Sequence, residues 1–200
     1  LGLPVRGGEM LQPWYTAKNA PEKYFDFVLT YEFESKISCP AFLATEATGI
    51  IQVNGQRVTM SEDWWVDPCF KKAPIQIQKG HNEITIRDVY TDRQNLEAIY
   101  ILGEFGVFQG TIDKKPESIP FGDITKQGFP HYSGKITYIF EQPIREKSVL
   151  QLRNMGGAAA IRINQKMIAW QPYTAHIDPC DRIEIELYLT RRNTFGPLHQ

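Results

Sequence analysis

Leu29-Thr30-Tyr31-Glu32-Phe33-Glu34 returns 107 residues later as Ile136-Thr137-Tyr138-Ile139-Phe140-Glu141. Ile50-Ile51-Gln52-Val53-Asn54 returns after 110 residues as Ala160-Ile161-Arg162-Ile163-Asn164. Glu83-Ile84-Thr85-Ile86 is echoed 101 residues on by Glu184-Ile185-Glu186-Leu187, and Asp67-Pro68-Cys69 is echoed 111 residues on by Asp178-Pro179-Cys180. A period of about 100 residues is too long for a solenoid unit and matches a whole small domain. The chain therefore reads as two tandem copies of one fold. An extended stretch over 1–20 leads into a first copy over 21–110, a connection spans 111–120, and a second copy covers 121–200.

Each repeated piece carries a β signal. Phe27, Leu29, Tyr31 and Phe33 share one face of a strand, with Val28, Thr30, Glu32 and Glu34 on the other. Ile183, Ile185, Leu187 and Leu189 alternate with Glu184, Glu186 and Tyr188 in the same way. Asn54-Gly55 between two short apolar runs predicts a tight hairpin. Asn164-Gln165 stands at that place in the second copy, where the lost glycine predicts a longer turn or one of another type. Leu96 to Phe108 reads as a strand broken at Gly103 and Gly106. No stretch shows three turns of helical periodicity. Many short strands divided by Gly, Pro and Asn predict an all-β fold of two tandem jelly-roll-type β-sandwiches.

The composition narrows the function classes. Hydrophobic residues make up 42 % of the 200, enough for two cores, and the formal net charge is −1. Lys71-Lys72 and Lys114-Lys115 are too short to be basic tracts, so neither nucleic acid nor a membrane surface is an expected partner. No apolar run approaches the ~20 residues that cross a bilayer. The chain opens Leu1-Gly2-Leu3 without methionine, which reads as a piece of a longer protein. The cysteines are Cys39, Cys69 and Cys180; the shared repeat position of Cys69 and Cys180 predicts a small buried thiol in each copy rather than a bridge. No Cys or His spacing fits zinc.

Gly49-Ile50-Ile51-Gln52-Val53-Asn54-Gly55 followed by Lys79-Gly80-His81-Asn82-Glu83-Ile84-Thr85-Ile86 resembles the sugar-binding-type β-sandwich of family 2 glycoside hydrolases. Gly128-Phe129-Pro130-His131-Tyr132-Ser133-Gly134-Lys135-Ile136-Thr137-Tyr138 is similar to the opening of galactose-binding-like domains, and Arg191 to His199 resembles their closing motif. The resemblance spans Tyr24 to His199, with Asn164-Gln165 departing from the expected Asn-Gly. It implies a non-catalytic accessory region of a bacterial glycosidase-like protein. The partners it implies are carbohydrate and the catalytic domain of the parent chain. It implies no cofactor; calcium is a frequent structural ion in such sandwiches, but Asp63, Asp67, Asp123, Asp178 and Asp181 show no ligand spacing.

Sugar recognition calls for flat aromatic faces and planar multi-donor groups. The candidates are Trp170 and Tyr173, His131 and Tyr132, Asn154 and Arg162, and Arg192 and Asn193 in the second copy, with Trp64 and Trp65 in the first. A structural use competes for some of them: Tyr132 pinning a strand end, Arg192-Asn193 tying the last loop to the backbone. Catalysis finds less support. Glu32, Glu34, Glu141, Glu184 and Glu186 fall on predicted solvent faces, and no pair of carboxylates stands out. His81, His131, His176 and His199 are scattered, with His176 at the repeat position of Trp65, and no nucleophile elbow or phosphate loop is present. The competing function is a purely structural module supporting a catalytic domain or an oligomer interface; a small hydrolase site between the copies is a third, weaker reading.

Overall fold

The computed structural model describes residues 24–90 and 99–195. The expected lead-in over 1–20 lies outside them, as do 96–98 and 196–199. Among the described residues the fold is all-β, with one 3-10 turn at Ile124–Lys126 and one short helix, α1 (Arg191–Phe195), besides the strands. The described residues form two compact units. The first takes in 24–90, 99–105 and 109–115, the second 106–108 and 116–195.

In the first unit, β1 (Phe25–Ser35), β2 (Cys39–Thr45), β3 (Ile50–Val53), β4 (Gln56–Val58), β5 (Trp64–Trp65), β6 (Asp67–Ile77) and β7 (Gly80–Tyr90) come in order, followed by β8 (Tyr100–Leu102) and β10 (Thr111–Lys114); β9 (Phe105–Phe108), between those two, has its last three residues in the second unit. One sheet runs β4-β3-β7-β1-β10-β9 and another β5-β6-β2-β8. The second unit holds β11 (Lys135–Phe140), β12 (Ser148–Leu152), β13 (Ala158–Ile163), β14 (Lys166–Ile168), β15 (Tyr173–Ile177) and β16 (Ile183–Leu189). Its sheets run β11-β16-β13-β14 and β12-β15.

These orders contain one scheme twice. β4-β3-β7-β1 in the first unit is β14-β13-β16-β11 in the second, and the β2–β6 pair is the β12–β15 pair. Register carries the match to single residues. Tyr31 faces Ile84 as Tyr138 faces Ile185, and Cys39 faces Ile77 as Ser148 faces Ile177. Alternation explains why the strands form, because every second side chain enters a core. Ile183, Ile185, Leu187 and Leu189 are buried with Ile161, Ile163, Ala175 and Ile177 in one cluster drawn from both sheets. Ala41, Leu43, Ile51, Val53, Ala73, Ile75, Ile77, Ile84 and Ile86 are buried in the first unit.

Both hairpin tips are held by the same clasp. The Asn54 N–H donates to the Glu83 carbonyl at 2.8 Å, while the Glu83 N–H donates to Asn54 Oδ1 at 2.9 Å. Asn164 repeats this with Glu184 at 2.7 and 2.8 Å. Asn54 and Gly55 have φ of 50° and 77°, a type I′ turn. The second hairpin keeps the two-residue length, with Val53 facing Gln56 and Ile163 facing Lys166. Asn164 takes φ 50° as Asn54 does. Asparagine tolerates the left-handed region and supplies the accepting oxygen, so losing the glycine does not lengthen the turn.

Three expectations are corrected. Asp67-Pro68-Cys69 opens β6, whereas Asp178-Pro179-Cys180 follows β15, so the two tripeptides are not equivalent. Cys69 is accordingly exposed and Cys180 half-buried, rather than a matched pair of core thiols. The same shift separates Trp65, on β5, from His176, on β15. The cause is additional chain in the first copy: β4 and β6 are joined through a stretch carrying β5, while β14 and β15 are joined by 169–172. The third correction concerns the connection expected over 111–120. Thr111–Lys114 is β10, parallel to β1 with Ile112 opposite Ser35, because Ile112 supplies a core-facing side chain amid polar neighbours.

Asn164→Ala should cost about 1–3 kcal/mol, since it leaves the Glu184 N–H without its acceptor and forces a Cβ residue of lower tolerance into positive φ. Asn164→Gly, which keeps the conformation and loses only the acceptor, should cost less. Urea denaturation midpoints of the two variants check the order; equal costs would refute the backbone part of the argument.

Candidate functional site

The opening motif of the second unit and the terminal helix are built into one latch. Thr194 Oγ1 donates to the His131 carbonyl at 2.8 Å. Asn193 Nδ2 donates to the Tyr132 carbonyl at 3.2 Å and to the Gly157 carbonyl at 3.0 Å. His131 Nδ1 lies 3.3 Å from the Asn193 carbonyl. The Tyr132 hydroxyl donates to the Lys135 carbonyl at 3.3 Å, at the start of β11. Its ring lies over Gly134, where any Cβ would collide with it. His131, Tyr132 and Asn193 are thus brought together, as backbone ties. Arg192 is exposed on the same helix.

Tyr173 is buried on β15 and its hydroxyl donates to the Ala158 carbonyl at 3.1 Å, which corrects its expected place in a sugar-facing loop. The alternation of β15 turns Tyr173, Ala175 and Ile177 inward. Trp170, three residues earlier in the β14–β15 loop, is 75 % exposed and is the most exposed large apolar residue among those described. Asn154 is exposed at φ 57° in the turn between β12 and β13. In the first unit, Trp64 is half-exposed. Trp65 instead packs into a ring cluster, with centroids 5.1 Å from Tyr100 and 6.2 Å from Phe70. Between Trp65 and Asp67, Val66 holds φ 67°, a conformation β-branched residues avoid.

Arg162 belongs to a charge cluster on the outer face of β11-β16-β13. Glu186 was expected on a solvent face; it is on that face, yet only 4 % exposed. Lys135 Nζ donates to its Oε1 at 2.5 Å, the Tyr188 hydroxyl donates to its Oε2 at 2.6 Å, and Arg162 Nη1 lies 3.1 Å from Oε2. The Arg162 guanidinium also sits 5.4 Å from the Tyr188 ring centroid. Cross-strand register explains the assembly, because Glu186 lies opposite both Thr137 and Arg162, and Lys135 lies opposite Tyr188. The Lys135 ammonium, then the Tyr188 hydroxyl, hold the Glu186 carboxyl below the ordinary carboxylate range. In return Glu186 raises Lys135 and Tyr188. A carboxylate kept ionised between two cations is suited to fixing strands, not to donating a proton.

The remaining chemistry is sparse. The hydrogen bond with Asp67 is the largest of the causes that push the exposed Cys69 thiol up to about 11, so it is a poor nucleophile. His81 lies 3.1 Å from Glu34 and 3.9 Å from Glu32 on the outer face of the first unit, all three exposed. No group of three His, Cys, Asp or Glu among the described residues is arranged to hold a metal ion. Periodicity had marked the outer face carrying Glu186; it could not show that Lys135 and Arg162 would close over that carboxylate.

The depressed Glu186 carboxyl contributes stability above the unfolded carboxylate value, and that contribution is lost as pH falls through its folded value. Lys135→Met should therefore lower stability at pH 7, with the gap to the parent narrowing below about pH 4; denaturant midpoints measured across pH check this, and a gap constant to pH 2 would refute it. Asn193→Ala should speed amide exchange at residues 191–195 and around Tyr132 without altering exchange in β16. Unchanged protection there would show that the latch holds nothing.

No family model, no curated protein and no solved structure matches the chain.

Proposed function

We propose that the chain is a non-catalytic carbohydrate-recognition region of a larger bacterial glycosidase-like protein, built from two galactose-binding-like, jelly-roll-type β-sandwiches. Trp170 carries the reading. A ring 75 % exposed at a loop apex offers an apolar face to the C–H side of a pyranose at little conformational cost. The duplicated strand scheme and the motifs of the opening segment support the fold half of the proposal. No catalytic role is assigned: the one buried carboxylate among the described residues, Glu186, is committed to Lys135, Arg162 and Tyr188. One stacked ring and a few rim hydrogen bonds correspond to micromolar to millimolar affinity, roughly −4 to −8 kcal/mol.

A specific observation favours a second reading. His131, Tyr132 and Asn193 are engaged in backbone ties, which suits a structural module that stiffens a parent enzyme and has no ligand of its own.

A glycan array probed with the folded 200-residue chain separates the two. The first reading expects hits that Trp170→Ala weakens about tenfold or more and Trp64→Ala leaves unchanged. Silence across plant, host and bacterial glycans establishes the structural reading instead, and hits indifferent to Trp170→Ala remove Trp170 from the site.

A further inference from the structure

Among the described residues β11 pairs with β16 alone, so its other edge is open. The Leu189 N–H donates to the Gly134 carbonyl at 3.1 Å, and the register continues that kind of pair through Ile136 with Leu187, Tyr138 with Ile185 and Phe140 with Ile183. Main-chain groups turn alternately to the two sides of an antiparallel strand. Lys135, Thr137 and Ile139 therefore aim their N–H and C=O groups at the open edge. Their side chains stand on the outer face of the sheet, all exposed, Ile139 at 52 %. The same alternation places the exposed Glu141, one residue past β11, on that face. An unpaired edge of this kind is a template for another strand.

Charge on this face is unevenly matched. Lys135 and Arg162 both close on the carboxylate of Glu186, so two cations against one carboxylate leave a positive charge in excess. Half of the Lys135 side chain stays exposed in that pair. Glu141, by contrast, meets no cation among the described residues. Arg182 lies opposite it by continuation of the register but turns to Glu184 at 3.6 Å.

We propose that β11 is a dimerisation edge, to which a second copy of this chain adds its own β11 antiparallel about a two-fold axis at Tyr138. That register sets Lys135 opposite Glu141 of the second copy and Thr137 opposite its Ile139, with the reverse pairs generated by the axis. Every residue so paired aims its main-chain groups at the open edge. Each unmatched carboxylate also arrives beside a cluster with a cation to spare. Moving the axis one residue either way sets Lys135 against Ile139 or against Pro143, which has no N–H. The first unit is an internal contrast. With Tyr31 on Tyr138, the same axis sets Glu34 against Val28, and Glu34 is taken by His81 at 3.1 Å. There, too, β10 occupies the end of the edge, with Ile112 opposite Ser35. A strand edge buries less than a standard interface, so Kd is on the order of 0.1 mM.

Sedimentation equilibrium and amide hydrogen exchange of the 200-residue chain, at about 10 µM and about 1 mM, test this. The expected result is a monomer at the lower concentration and mostly dimer at the higher, where the Thr137 and Ile139 amides alone in β11 slow about fivefold. Glu141→Lys, an exposed substitution, should weaken association about tenfold or more while leaving exchange in β13 and β16 as in the parent. Thr137→Pro deletes an N–H aimed at the open edge and none aimed at β16, and should abolish association. A chain that stays monomeric at about 1 mM overturns the proposal. So does a dimer indifferent to Glu141→Lys, or one that leaves the Thr137 and Ile139 amides fast, since either puts the contact elsewhere. Edge amides equally slow at both concentrations overturn it as well, because the chain then covers its own edge.

Discussion

The reciprocal clasp between a turn asparagine and the strand that crosses the sheet fixes each unit. Asn54 with Glu83, and Asn164 with Glu184, set the register of the central strand against the hairpin. A slip of one residue would turn Ile84 and Ile86, or Ile185 and Leu187, outward and expose the core. The first unit reinforces the clasp. Asn54 Nδ2 donates to Asn82 Oδ1 at 2.9 Å, and the fully buried Asn82 amide also binds Gln78 and Gly80. In the second unit Ile183 stands at the place of Asn82, and the tip keeps the two-bond clasp without that added asparagine.

From that shared scaffold the copies diverge at their edges. Among the described residues the first adds β5 and β8 to the sheet that is the pair β12–β15 in the second, and it adds β10 beside β1. The second carries the latch between α1 and its opening segment and the Glu186 cluster on its outer face. Such additions leave the paired strands undisturbed, because an edge strand has spare hydrogen-bonding groups on one side.

Much of the fold was legible in the sequence because alternation and turn chemistry are local. The inward faces of β1 and β16 and the hairpin at Asn54-Gly55 follow from residues within a few positions of one another, and the repeat of the β1, β3 and β7 strands shows because each such local pattern recurs about 100 residues on. The Asp-Pro-Cys match failed for the opposite reason. A tripeptide has no period, so nothing in it distinguishes the start of β6 from the end of β15. Tyr173 was misplaced because an aromatic beside Pro172 suits a loop and a buried strand start equally well, and only the companions Ala175 and Ile177 decide between them. The latch was legible as an alternative use of Tyr132 and Asn193. The open edge of β11 was not, since only its pairing with β16, a strand distant in sequence, decides which of its main-chain groups are left over.

Val66 gives the tip between β5 and β6 a character of its own. A valine held at φ 67° is a loaded joint, maintained by what surrounds it rather than by its own preference. Glycine would adopt the same angle freely. The β-branched residue trades local comfort for stiffness. One unit thus mounts Trp64 and Trp65 beside a backbone angle only its surroundings maintain, and the other mounts Trp170 within the four-residue loop 169–172.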